Sequence, residues 1–326
     1  MADNKPKLPF RTKLLASAYA LISSFCFRSD GTVNRRLQNL IHRKVPAPAT
    51  TLVGQASVSF TDVPVEPSRN IWFRLFVPSV DQFNSPLPLV VYFHGGGFDS
   101  LGPDLKEYHD FCCRIAASVP AAVASVKYRL APEHRYPAAY DDCFDALKFI
   151  DSENCSVLPS NVDLEDCFLA GDSAGGNIAH HVAARSCGSS FRRLRISGLL
   201  SIQPFFGGEE RTESEIRLGR GVLLTLDRAD KAWRNFLPEG ASRDHEAAHV
   251  FGGKLPEKFP RTLLIIGGFD LLQDWQRRYG EWVRRCGVEV RAVEYPNAIH
   301  GFYAFGELPE SAMLVEEINN FMGTSN

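Results

Sequence analysis

Phe168-Leu169-Ala170-Gly171-Asp172-Ser173-Ala174-Gly175-Gly176-Asn177 joins two different periodicities. An apolar run fit for a buried strand stops at Gly171, and a helix-compatible run, Asn177 to Arg185, begins almost at once. Ser173 stands at the joint. A strand that reverses into a helix this quickly strains the turning residue, and only small neighbours let the two chain segments pass. Gly171 and Gly175 supply that room. The pattern is G-x-S-x-G, the nucleophile elbow, which lifts a serine oxygen above a parallel sheet and aims a helix N-terminus at developing negative charge. A glycine-rich turn closing a strand reads the same way, so the assignment depends on what accompanies it.

Upstream, Leu89-Val90-Val91-Tyr92-Phe93 runs straight into His94-Gly95-Gly96-Gly97-Phe98, the oxyanion-loop pattern that goes with this elbow. A tetrahedral oxyanion needs fixed donors, and the motif assigns them to the backbone N–H groups of Gly95, Gly96 and Ala174. His94, ahead of the glycines, is expected to fix the loop rather than act as a base. A serine hydroxyl is a weak nucleophile at neutral pH. It needs a base, and a third group to orient that base, in the chain order serine, acid, histidine. Asp270 follows the apolar strand Leu263-Leu264-Ile265-Ile266, and of nine histidines only His300 lies beyond it. Both follow strands, and such loops in a parallel sheet open on one face. The catalytic expectation is therefore Ser173, Asp270 and His300. Asp274 is the reserve acid, although its place in a helix-like stretch favours a helix N-terminal or ion-pair role. His180 and His181 follow the elbow on a helix, with no partner at metal-ligand spacing, so packing or exposure is expected and no metal site.

A chain of 326 residues, 44% hydrophobic, can bury one large core. Its 36 basic and 38 acidic residues nearly balance, so nothing points to a nucleic-acid partner, and Arg192-Arg193 and Arg284-Arg285 read as solvated helix faces. Eight cysteines without C-x-x-C spacing suit free thiols in a reducing compartment, the cytoplasm or also the nucleus. Asn154-Cys155-Ser156 matches a glycosylation sequon, which matters only in a secreted chain. Oligomeric state leaves no mark in the sequence.

Lys5, Lys7, Arg11 and Lys13 lead into the apolar run Leu14 to Ile22, which is like a signal peptide but lacks a small-residue cleavage site. It is also too short and interrupted to span a bilayer. An amphipathic helix over Lys13 to Phe27, folded back across the active-site mouth, is expected, with a secretory signal as the alternative. Asp30-Gly31-Thr32 is a turn, Asn34 to Arg43 a second helix, and Pro46 and Pro48 end the segment. Eight strands follow: Ala56–Phe60 as the edge, then 71–77, 88–93, 122–127, 167–170, 196–202, 262–266 and 289–295. Helix-length segments (108–117, 140–150, 275–285) separate most of the later strands, so the fold class is α/β with a mostly parallel sheet covered on both faces. The excursion between Phe206 and Phe259 is expected to form a cap insertion. The division is thus an N-terminal lid, residues 1–48, and one main domain, residues 49–326.

Several motifs together resemble plant carboxylesterases of the hormone-sensitive-lipase group. They are His94 to Phe98, Tyr128-Arg129-Leu130-Ala131-Pro132-Glu133-His134, Pro137 to Asp142, Gly171 to Asn177, and Gly268-Phe269-Asp270-Leu271-Leu272-Gln273-Asp274-Trp275. The resemblance covers nearly the whole chain. It implies an α/β-hydrolase fold, serine-esterase chemistry on small carboxylic esters, no cofactor and a largely soluble protein. Arg28 to Arg36 is also similar to the lid region of the gibberellin receptors, which share the fold. Receptors of that kind replace the catalytic histidine with an aliphatic residue and usually carry H-G-G-S, whereas this chain has His300 and Gly97. A hormone-binding role is the alternative, and a dehydratase or cyclase of specialised metabolism is another. Tyr303 resembles a ligand-contacting tyrosine. Phe98, Asp99 and Asp172 are further pocket candidates by motif position.

Overall fold

The computed structural model describes residues 5–28, 31–79, 86–152 and 155–323. Asn154 of the sequon, Asp30 of the expected turn and Ser29 of the receptor-like stretch lie outside them. Two N-terminal helices, α1 (Phe10–Ser24) and α2 (Arg35–Ile41), precede β1 (Ala49–Val53), β2 (Ala56–Glu66), β3 (Ile71–Pro78) and β4 (Leu87–Phe93). Then α3 (Lys106–Ser118), β5 (Ala122–Lys127), α4 (Ala138–Asp151), β6 (Val162–Asp172), α5 (Ala174–Ser186) and β7 (Ile196–Ile202) alternate. After α6 (Glu213–Leu218) and α7 (Leu226–Phe236), the chain closes with β8 (Thr262–Phe269), α8 (Gln273–Arg285), β9 (Val290–Ile299) and α9 (Pro309–Gly323).

These strands form one nine-stranded sheet in the order β1-β2-β3-β5-β4-β6-β7-β8-β9. The first three are antiparallel, β3 is antiparallel to β5, and the pairs among β4 to β9 are all parallel. The sequence reading expected eight strands with Ala56–Phe60 at the edge. The additional edge strand, β1, is mostly exposed, so its Ala49-Thr50-Thr51-Leu52-Val53 carries no alternation of buried and exposed apolar residues.

The parallel strands are continuous apolar runs because both faces are covered. Leu89, Val91 and Phe93 of β4 face one cluster with Ala146 and Leu147 of α4 and Ile178 of α5. Val90 and Tyr92, between them, face the opposite cluster with Phe111 of α3 and Leu314 of α9. One residue of register slip would exchange the two sets. Arg35 fixes the N-terminal segment to this body: it donates to the carbonyl oxygens of Asp99 and Ala131, each at 2.5 Å, and pairs with Glu133. Thr12 of α1 donates to Glu307 at 2.9 Å.

Candidate active site

Strand order turns at β4: β5 lies on one side, and the chain resumes with β6 on the other. In open α/β sheets, residues at the carboxyl ends of strands flanking such a switch point share a crevice. Gly95 to Gly97 leave β4 there, Ser173 leaves β6, Gln203 leaves β7, Asp270 leaves β8 and His300 leaves β9. The last strand runs to Ile299, through the four residues expected as a loop, and delivers His300 directly.

Ser173 occupies the turn between β6 and α5 with φ 51° and ψ −119°, a left-handed conformation that an L-residue holds only under local strain. The flanking glycines make this possible. A Cβ on Gly171 would lie 2.2 Å from the Gly175 carbonyl oxygen, and one on Gly175 would lie 1.9 Å from that of Phe93. Both obstacles are backbone. Gly175→Ala is therefore expected to destabilise by about 4 kcal/mol or more, seen as a fall in thermal unfolding temperature; an unchanged transition would show that the strand and helix can part.

The His300 Nε2 lies 3.0 Å from Ser173 Oγ, and its Nδ1 lies 2.8 Å from Asp270 Oδ2. Burial alone pulls the imidazole pKa down, but the adjacent Asp270 charge and hydrogen bond outweigh it and leave the pKa above the usual 6.5. An imidazole so placed can take the serine proton and hold the resulting charge beside a carboxylate. Asp270 is fully buried, and its oxygens are well supplied with donors. Oδ1 accepts from the Leu272 N–H at 2.9 Å, and Oδ2 accepts from Gln276 Nε2 at 2.9 Å and Gln203 Nε2 at 3.1 Å. Asp274, the reserve acid, instead accepts from the Ser214 N–H at 2.8 Å and pairs with Arg277 at 3.0 Å.

Gln203 is a residue the sequence reading did not single out. Its Nε2 also donates to the Ile299 carbonyl at 3.2 Å, and its Oε1 accepts the Gly301 N–H at 2.8 Å. It thus grips the backbone on both sides of His300 as well as the carboxylate behind it. Its position at the C-terminal end of β7, where this sheet opens, was the available signal. Gln203→Leu leaves the Asp270 carboxylate, the Ile299 carbonyl and the half-buried Gly301 N–H each short of a partner, so kcat for a soluble ester is expected to fall about tenfold to 100-fold, or about 1–3 kcal/mol. KM should change little, and equal kcat in both proteins would remove Gln203 from the apparatus.

Among the described residues, the backbone N–H groups of Gly96, Gly97 and Ala174 donate to no protein acceptor. Ala174 is the first residue of α5, where the helix leaves its donors unpaired. Gly95, expected among the donors, is otherwise engaged. Its N–H points at Tyr108 Oη (2.9 Å) and Asp172 Oδ1 (3.0 Å), so Gly96 and Gly97 are the loop donors that remain. His94 is buried and stacks on Tyr128 with ring centroids 4.2 Å apart. Burial lowers its pKa to about 3, so it stays neutral. His180 packs in the interior against Tyr279, its Nδ1 3.0 Å from the phenol oxygen, and the His181 Nε2 lies 3.3 Å from the Ala247 carbonyl oxygen. No group of three or more metal-ligating side chains forms a candidate metal site among the described residues.

Above the serine lies a cavity of about 660 Å³. Leu15, Tyr19 and Phe27 of the N-terminal segment wall it on one side, and Leu223, Leu224 and Arg228 of the 206–259 excursion on another. Asp172 and Tyr303 also line it. Three phenols, Tyr92 (2.7 Å), Tyr108 (2.9 Å) and Tyr303, donate to the Asp172 carboxylate. Burial raises the Asp172 pKa, and these hydrogen bonds oppose the rise. Phe98 and Asp99 do not reach the cavity wall. Phe98 is fully buried and stacks on Phe236 at 3.7 Å, holding the loop to α7. Asp99, also fully buried, accepts from Asn235 at 3.0 Å and pairs with Arg228, which does line the cavity.

The family described as having an alpha/beta hydrolase fold matches residues 90–304. A gibberellin receptor of Arabidopsis thaliana is 37% identical, over 99% of this chain and 96% of that protein. Carboxylesterase 20 of the same plant is 38% identical, over 88% and 91% respectively. Among solved structures, an esterase from the archaeon Pyrobaculum calidifontis superposes with a TM-score of 0.70 at 32% identity, covering 81% of this chain and 84% of that one. Strand order, elbow and these similarities agree, and the chain belongs to the α/β-hydrolase-fold family, in the group that takes in plant carboxylesterases and gibberellin receptors.

Proposed function

We propose that this protein is a serine carboxylesterase that hydrolyses small carboxylic esters through an acyl-enzyme on Ser173. The observation that carries this reading is the single imidazole of His300 within hydrogen-bond reach of both Ser173 Oγ and Asp270. The Ser173 oxygen attacks the acyl carbon while His300 Nε2 takes its proton. The N–H groups of Ala174, Gly96 and Gly97 receive the negative charge that forms on the carbonyl oxygen. Collapse breaks the ester C–O bond, and the proton on His300 leaves with the alcohol. Water then repeats the sequence in reverse order of groups and frees the acid. Residues 1–48 act as a lid and 206–259 as a cap over the main domain, which suits their place in the cavity wall. A cytoplasmic or nuclear location suits eight unpaired cysteines.

A receptor-like role is the second reading, favoured by the 37% identity to a gibberellin receptor and by the N-terminal helix in the cavity wall. A fluorophosphonate probe and p-nitrophenyl acetate separate the two. The esterase reading expects steady turnover and one equivalent of probe on Ser173. Tight gibberellin binding with neither labelling nor turnover would establish the receptor reading instead.

A further inference from the structure

The helix α1 turns one face to the body of the protein and leaves an apolar face open. Thr12 and Ala16 are fully buried, and Tyr19 and Ser23, on the same side of the helix, line the cavity. On the other side, Phe10, Leu14, Leu21 and the C-cap Phe25 fall within a narrow arc along just over four turns. They are 82%, 58%, 62% and 67% exposed. An apolar stripe on the outside of a helix that is already docked on its other side is surface that a partner can cover.

Charge says what would cover this stripe. Residues 1–48 hold nine basic and two acidic residues, leaving 27 against 36 in the remainder, so a near-neutral chain divides into a +7 segment and a −9 body. No acidic residue occurs between Lys5 and Arg28. Lys5, Lys7, Arg11 and Lys13 are exposed, and no ion pair is recorded for them among the described residues. They also crowd the N-terminus of α1, which has no acidic residue in its first turn and no side-chain cap, although the helix dipole favours anions there. An apolar stripe flanked by unpaired cations fits an anionic bilayer surface: acyl chains take the stripe and phosphate headgroups take the lysines. At 15 residues the helix is too short to cross the membrane, so it would lie in the interface.

We propose that the outer face of α1 docks this protein on anionic lipid bilayers, bringing the cavity mouth to the water–lipid boundary. This goes beyond ester hydrolysis and stands or falls separately from it. The experiment is co-sedimentation of the full chain with phosphatidylcholine vesicles, with and without phosphatidylserine, beside turnover of a water-soluble ester. Binding is expected only to the anionic vesicles, weakening as salt rises. Leu14→Ser/Leu21→Ser/Phe25→Ser and Lys5→Glu/Lys7→Glu/Lys13→Glu should each weaken it by on the order of 100-fold. None of the six residues lines the cavity, so turnover of the soluble ester should be kept and would show that the variants are folded. A third variant, Leu14→Trp, should shift its fluorescence to the blue on the vesicles. Equal binding to neutral vesicles, unchanged binding by the stripe variant, or capture of poly-glutamate with no vesicle binding would each overturn the proposal, the last in favour of an acidic protein partner.

Discussion

Replacing Ser173 by alanine is expected to lower kcat for p-nitrophenyl acetate by on the order of 10⁶-fold, and His300→Ala by nearly as much. The double variant should be no worse than either single one. The reason is geometric: with Oγ gone the imidazole has nothing to deprotonate, and with the imidazole gone the hydroxyl stays a weak nucleophile, so each loss includes the other. What survives is the rate supplied by binding and by the donors at Gly96, Gly97 and Ala174. Among the described residues the Ser173 hydroxyl bonds to His300 alone, so Ser173→Ala should keep its thermal unfolding temperature. Steady-state and burst kinetics on the three proteins test this. A Ser173→Ala protein with a rate near the wild type's would end the acyl-enzyme reading.

The residues that meet at this candidate site were legible in the sequence where local chemistry writes them. Ser173 declared itself through glycines that must flank a strained turn, and Asp270 and His300 through their places after strands. The elbow's two periodicities also defined β6 and α5, and with them the sheet. What escaped was set by contacts between distant segments. Gly95 was counted as an oxyanion donor because the motif spacing cannot show Tyr108 and Asp172 closing over its N–H from α3 and β6. Phe98 and Asp99 stand next to the glycines in sequence, yet the chain turns there with φ 64° at Phe98 and sends both side chains toward α7. Likewise α6 depends on a capping box between Thr212 and Glu215 inside a run of charges that carries no apolar periodicity. Gln203 had only its place at a strand end to recommend it, since its function comes from three backbone or side-chain partners up to 98 residues away.

Asp270→Asn separates orientation from charge, and its expected loss in kcat is on the order of 10⁴-fold. The side chain keeps its shape, but its Oδ2 accepts from His300, Gln203 and Gln276 and its Oδ1 from the Leu272 N–H, so either amide orientation sets an NH₂ against a donor. The pH profile gives the sharper test. Only the neutral imidazole accepts the serine proton, so wild-type kcat/KM should rise with pH through the His300 pKa, which lies above 6.5. Remove the Asp270 charge and the opposing effect of burial prevails, so the acid limb of the residual activity should move to lower pH, below the usual histidine value. Asp274→Asn serves as the control. That carboxylate pairs with Arg277 and holds the Ser214 N–H, and among the described residues it makes no hydrogen bond to His300, so neither rate nor profile should move appreciably. An acid limb that stayed in place in Asp270→Asn, or moved in Asp274→Asn, would transfer the orienting role to the other acid, because the histidine's basicity follows whichever charge lies against its Nδ1.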